Sequence, residues 1–207
     1  MARKTKEEAE ETRLKILDAA LDVFSRKGYS RTTFVDIAKQ IGLTKGAVYW
    51  HFKTKTDLLV ALIESNIALK HKRLGDPIEQ SGSLAALREC ILGSVRTVLV
   101  EPQLRKFEFF INFQIEWSED LIEEVRTGLE RVVREGPFRK YSVTIHQMQK
   151  QGLVDGSADV EKLGAILFAT WAGLMRGFML GLMSEEELLQ RLRYGFDSMF
   201  KDLVKEG

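Results

Sequence analysis

Thr33-Phe34-Val35-Asp36-Ile37-Ala38-Lys39-Gln40-Ile41-Gly42-Leu43-Thr44-Lys45-Gly46-Ala47-Val48-Tyr49-Trp50-His51-Phe52 is the stretch that decides the fold. Ile37, Ala38, Ile41, Leu43, Val48 and Phe52 are apolar at spacings that let two short helices pack across each other. Ala38 is small where the two backbones approach, and Gly42 tolerates the left-handed conformation that ends the first helix. Thr44 can cap the second helix, which places Lys45, Gly46, Tyr49, Trp50 and His51 on or near the face turned away from the packing. Two crossed helices joined by a tight glycine turn are the arrangement that seats a helix in the major groove of DNA. The outward residues supply a positive charge, hydrogen-bond donors and flat rings.

The flanks sharpen this reading. Upstream, Thr5 to Glu8 reads as a capping box, and Ile16, Leu17, Ala20, Leu21, Val23 and Phe24 keep helical spacing until Lys27 and Gly28 supply a cationic last turn and a stop. Downstream, Lys53-Thr54-Lys55-Thr56-Asp57 caps a further helix through Leu58, Leu59, Leu62 and Ile63. With these flanks the chain resembles the tetracycline-repressor (TetR) family of bacterial regulators. The resemblance is carried by Thr12-Arg13, Ile16-Leu17, Phe24, Gly28-Tyr29, Thr32-Thr33, Ile37-Ala38, Gly42-Leu43, Lys45-Gly46, Tyr49-Trp50-His51-Phe52 and Lys55. Met1 to Lys6 and the block Gly46 to Phe52 are most similar to the multidrug-efflux repressor subgroup typified by AcrR. What this implies is a homodimeric repressor on a palindromic operator, released by a bulky, largely apolar and often cationic small molecule. Lys45 and Tyr49 are the candidates for the reading face, with Gly46 and Trp50 beside them. Thr33, Thr44, His51 and Lys55 are the candidates for contacts to the DNA backbone.

Charge is distributed to match. The formal net charge of the 207 residues is +1, but residues 1–56 carry 12 Lys and Arg against 7 Asp and Glu, and residues 57–207 carry 19 against 23. The basic end is the helix-turn-helix end, as phosphate neutralisation requires; without the motif, a solvated basic face would explain the same excess.

Past the reader the pattern remains helical, so the fold class is all-α: a three-helix DNA-binding domain over residues 1–56 followed by a helical effector-binding and dimerisation domain over 57–207. Helices are expected at about 58–73, 84–100, 103–116, 119–135, 138–151, 158–183 and 185–205, with Gly136-Pro137 either kinking one long helix or ending it. The clearest break is Leu74-Gly75-Asp76-Pro77 with Ser81-Gly82-Ser83, so the domain junction falls there or within the preceding helix. That helix, from Leu58 to Leu69, is the expected lever between effector and reader.

Two segments of the second domain carry information. Phe107 to Trp117 is apolar nearly all round, and Phe109, Asn112, Phe113 and Glu116 share one helical face, a combination that suits a cavity for a planar cation. It equally suits a helix buried on every side, with Glu116 at its solvent end. Trp171 is counted with these candidate lining residues. In the second segment, Ala165, Ala169, Gly173, Gly177 and Gly181 recur every fourth residue and form a stripe over which another helix can come close. The family resemblance makes this stripe part of a dimer interface. The alternative is a membrane span, opposed by Arg176 and by the capping box Ser184-Glu185-Glu186-Glu187 that follows.

No motif supports catalysis, a cofactor or a metal site. His51, His71 and His146 lack neighbours at metal-ligand spacing, and no nucleophile-elbow, zinc-protease or phosphate-loop pattern occurs, which leaves an all-helical enzyme without a recognisable motif as the remaining alternative. His146 reads as a satisfied, half-buried residue. Cys90, the single cysteine, cannot form an intramolecular disulfide and, among Leu87, Ile91 and Leu92, reads as a buried inert thiol rather than a redox sensor. The charged start has no apolar core for a secretory signal, so a cytoplasmic location is expected.

Overall fold

A computed structural model describes residues 6–74, 82–130 and 137–203, and every regular element among them is helical. The order is α1 (Lys6–Lys27), α2 (Phe34–Gln40), α3 (Lys45–His51), α4 (Lys55–Leu74), α5 (Leu84–Val100), α6 (Pro102–Phe109), a π-helical turn (Phe110–Gln114), α7 (Glu119–Gly128), α8 (Pro137–Lys150), α9 (Val160–Met179) and α10 (Glu185–Phe200). The cap expected at Thr5, the break at Gly75-Asp76-Pro77 and Ser81, and the Gly136 side of the kink lie outside the described residues.

Caps explain where the helices begin. The Thr33 side chain accepts from the Asp36 amide while Asp36 accepts from the Thr33 amide, a reciprocal capping box at α2. Thr44 caps α3 by accepting from Ala47 N at 3.1 Å, Ser83 caps α5, and Ser184 with Glu187 closes a second capping box at α10. Gly28 and Gly42, with φ of +88° and +67°, end α1 and α2 in the left-handed region that a side chain would strain.

Two compact units emerge from the contacts. The first comprises residues up to Asn66 together with Arg105–Glu130; the second comprises Ile67–Leu104 and the residues from 131 on. Helix α4 thus passes from one unit to the other, and so does α6.

In the first unit α2 packs against both α1 and α3 over Ile16, Phe24, Ile37, Ala38, Val48 and Leu58, all at most 2% exposed. Phe110 of the π turn adds to this core, fully buried with its ring stacked on Phe24 at 5.6 Å. In the second unit α8, α9 and α10 pack in sequence and α5 closes on α10. Leu87, Val95, Leu104, Ile145 and Leu188 are completely buried at its centre.

Several expectations change at this level. The helix expected over 158–183 stops at Met179, because Gly181 turns left-handed at φ +74° while its amide and that of Leu182 bond back to Phe178 and Gly177. The helix expected over 103–116 widens into the π turn and ends in extended backbone at Ile115. His146 is exposed, with Nδ1 3.4 Å from Gln149 Oε1, and Cys90 is half-buried rather than fully buried. None of the described helices is long and apolar enough to cross a membrane.

Candidate nucleic-acid interface

The seven residues of α3 bury one side chain completely, Val48, and leave Ala47 and His51 half-buried. Thr44, Lys45, Gly46, Tyr49 and Trp50 are exposed, the last at 68%. These outward side chains are braced rather than loose. The Tyr49 ring sits edge-on to buried Phe34 at 4.8 Å, and the Lys45 ammonium lies 5.1 Å from the Tyr49 centroid, one turn away on the same face. Trp50 packs edge-on against His51 at 4.5 Å. A Cβ added at Gly46 would meet only Thr44 Oγ1, at 3.8 Å, so nothing in the chain explains the missing side chain, and the bare backbone leaves room for another molecule to come close.

Thr33 and Lys55 take internal roles. Thr33 caps α2, and its hydroxyl donates to Asp36 Oδ2 at 2.7 Å. Lys55 Nζ donates to the carbonyls of Tyr29 at 2.8 Å and Ser30 at 3.0 Å, reaches that of Thr32 at 3.4 Å, and lies 4.5 Å over the Tyr29 ring. Burial lowers its pKa, and the nearby Glu116 charge partly restores it. Lys55 therefore ties the loop between α1 and α2 to the start of α4, which fixes where the reader sits.

The candidate ligand face behaves differently from its sequence pattern. Asn112 donates to Glu108 O at 2.8 Å, Phe109 is 44% exposed and tilts on Phe113 at 5.2 Å, and Glu116 accepts from Ser30 Oγ at 2.5 Å. All four belong to the first unit, where Gln114 also donates to Ser25 O at 3.0 Å and Thr56 donates to Glu124 Oε2 at 2.6 Å. Sequence reasoning missed Ser30, Phe110, Gln114 and Glu124 because each meets a partner far away in the chain. Trp171, by contrast, lies in the second unit, 7% exposed, with the Lys70 ammonium 4.4 Å from its ring centroid.

On the small-residue stripe, Ala165, Ala169 and Gly173 are exposed along α9 beside exposed Ile166 and Phe168. Gly177 is half-buried under Met183, and Gly181 lies past the helix end. No group of His, Cys, Asp and Glu among the described residues could hold a metal ion.

The family described as bacterial regulatory proteins, tetR family, matches residues 16–62, the span of this reader. The HTH-type transcriptional regulator TtgR of Pseudomonas putida is 31% identical over 183 residues, covering 87% of this chain and 86% of TtgR. The HTH-type transcriptional regulator AcrR of Shigella flexneri is 45% identical over 113 residues, 51% of this chain and 50% of its own. Among solved structures, SmeT, the repressor of the Stenotrophomonas maltophilia multidrug efflux pump SmeDEF, superposes with a TM-score of 0.72 at 25% identity, covering 96% of this chain and 93% of SmeT. SmeT has also been solved as a triclosan complex.

Proposed function

From the premise that the chain belongs to the TetR family of bacterial transcriptional regulators, we propose that it is a homodimeric repressor whose two α3 helices read a palindromic operator and which a small-molecule effector releases. The observation that carries this reading is the braced outward face of α3, where Lys45, Tyr49 and Trp50 surround a bare Gly46. Rings and an ammonium held in place by Phe34 and His51 lose little side-chain entropy on contact with a rigid duplex.

Dimerisation through α9 and α10 is supported by the exposed apolar side chains Ile166, Phe168 and Tyr194 around the stripe of Ala165, Ala169 and Gly173. Control of an efflux system is supported by the names of the relatives. The effector is taken as largely apolar. A cationic effector matched to Glu116 finds less support, since that carboxylate already accepts from Ser30 and lies near the Lys55 charge.

Release follows from linkage. An effector that binds better when the heads sit at the wrong spacing weakens operator binding by the same coupling energy. The direct test is selection of duplexes from a random pool by the purified protein. The reading expects an inverted repeat bound by two chains, with half-sites about one helical turn apart or a multiple of it. Selection of no common sequence would refute it.

A further inference from the structure

We propose that Lys53 is a phosphate anchor of the reader, paired with Lys45 across Tyr49, an inference that rests on the operator-reading function above and names a contact residue for it. Between Gly28 and Thr56 the sequence holds five cations, Arg31, Lys39, Lys45, Lys53 and Lys55, and one acid, Asp36. That acid is already taken by the Lys27 ammonium at 2.7 Å and by the Thr33 cap, and none of the five cations forms an ion pair with a described carboxylate. Unbalanced positive charge on so short a segment attracts a polyanion.

Position sorts the five. Lys55 spends its three N–H donors on the carbonyls of Tyr29, Ser30 and Thr32. A Cβ at Gly28 would meet the Arg31 guanidinium at 3.7 Å, so that side chain lies against the end of α1, whose last carbonyls carry the negative pole of the helix. Lys39 lines the open groove between α1 and α2 with Val23, Arg26 and Gln40. Five positions along α2 put it roughly 140° round the helix from Phe34, the residue that meets Tyr49. Lys45 and Lys53 remain, both exposed and both at Tyr49. At the start of α3 the Lys45 ammonium is 5.1 Å from the Tyr49 ring centroid, and beyond its end Lys53 Nζ donates to the Tyr49 carbonyl at 3.4 Å. That bond holds the Lys53 ammonium against the reading helix and leaves it two donors. Ammoniums at both ends of a helix seated in the major groove meet the phosphates that flank it, through charge-assisted contacts that fix register without reading sequence.

The test is the salt dependence of binding to a fluorescent duplex of mixed sequence, followed by anisotropy between about 50 and 200 mM salt, because a phosphate contact is independent of sequence. Lys53→Gln removes the charge and keeps an N–H for the Tyr49 carbonyl. It is expected to make the fall of log K with log salt shallower by about one unit, whereas Lys53→Arg and Lys39→Gln should keep the wild-type slope. Lys45→Ala combined with Lys53→Gln should make it shallower by about two units. A wild-type slope for Lys53→Gln would overturn the proposal. So would an equal change for Lys39→Gln, which would report the field of the whole segment rather than a contact. Circular dichroism on heating checks each variant, and Lys53→Met stands in if the glutamine variant is not folded. Lower stability with an unchanged slope would confine Lys53 to closing the end of α3, and would also overturn the proposal. Wild type that binds no duplex at all would sink the regulator reading and this contact with it, whereas wild-type binding with an unaltered Lys53→Gln slope sinks the contact alone.

Discussion

Phe110→Ala is the most informative single change, because it asks whether Arg105–Glu130 belongs to the reading unit energetically as well as geometrically. The side chain is completely buried, and its ring stacks on Phe24 at 5.6 Å with 12° between the planes. Truncating a buried phenylalanine costs about 3–5 kcal/mol, of which the ring pair accounts for about 0.5–1.5 kcal/mol. That is a large share of the roughly 5–15 kcal/mol by which whole domains are stable. Phe110→Leu, which keeps much of the volume, should cost about 1–2 kcal/mol. The assay is urea unfolding followed by tryptophan emission in a Trp171→Phe background, where Trp50 and Trp117, both in the first unit, are the only reporters left. Unfolding of that unit should shift by at least about 3 kcal/mol for the alanine variant, and operator affinity should fall with it. A loss under about 1 kcal/mol would refute the packing of the π turn on α1.

Other expectations follow from the same geometry. Lys45→Ala should weaken binding to every duplex and lower the salt slope by about one unit, whereas Tyr49→Ala should cost about 1–3 kcal/mol concentrated at one base pair; gel-shift titrations over a panel of duplexes and salt concentrations separate the two. Gly173→Leu should break the dimer in sedimentation without unfolding the chain, since an added Cβ meets nothing within 4 Å in its own chain and leucine favours helix over glycine. The Asp36 carboxyl is held well below its ordinary 3.8, first by the Lys27 hydrogen bond and then by Thr33. Its stabilisation is therefore fully present above about pH 4 and is lost as the pH falls from there toward the folded value. Urea midpoints between pH 5 and 2.5 should drop less steeply for Asp36→Asn than for the wild type.

The reading head was legible because its signals are local. Thr33, Asp36, Gly42 and Thr44 each act within four residues, and the apolar spacing of Ile37, Ala38 and Val48 states directly which faces meet. What stayed hidden depends on distant partners. Nothing in Phe107-Glu108-Phe109-Phe110 indicates that Phe110 is the residue that stacks on Phe24, and the π turn shifts the helical phase that assigned Phe109, Asn112, Phe113 and Glu116 to a shared face. Glu116 and Glu124 meet Ser30 and Thr56 across 86 and 68 positions of chain. Gly181 fits the four-residue stripe as well as it fits a helix stop, and only its positive φ decides. The carbonyls that Lys55 meets were hidden because a lysine beside a reading helix satisfies charge arguments equally whether it faces solvent or a loop 23 to 26 positions away.

The central claim, that this chain is a sequence-reading repressor, is tested most directly by measuring its affinity for the selected inverted repeat and for a scrambled duplex of the same composition across a salt series. A linear fall of log K with log salt is expected for both duplexes, with a preference for the repeat of at least about a thousandfold at physiological salt. Equal affinity for the two duplexes at every salt concentration would contradict it.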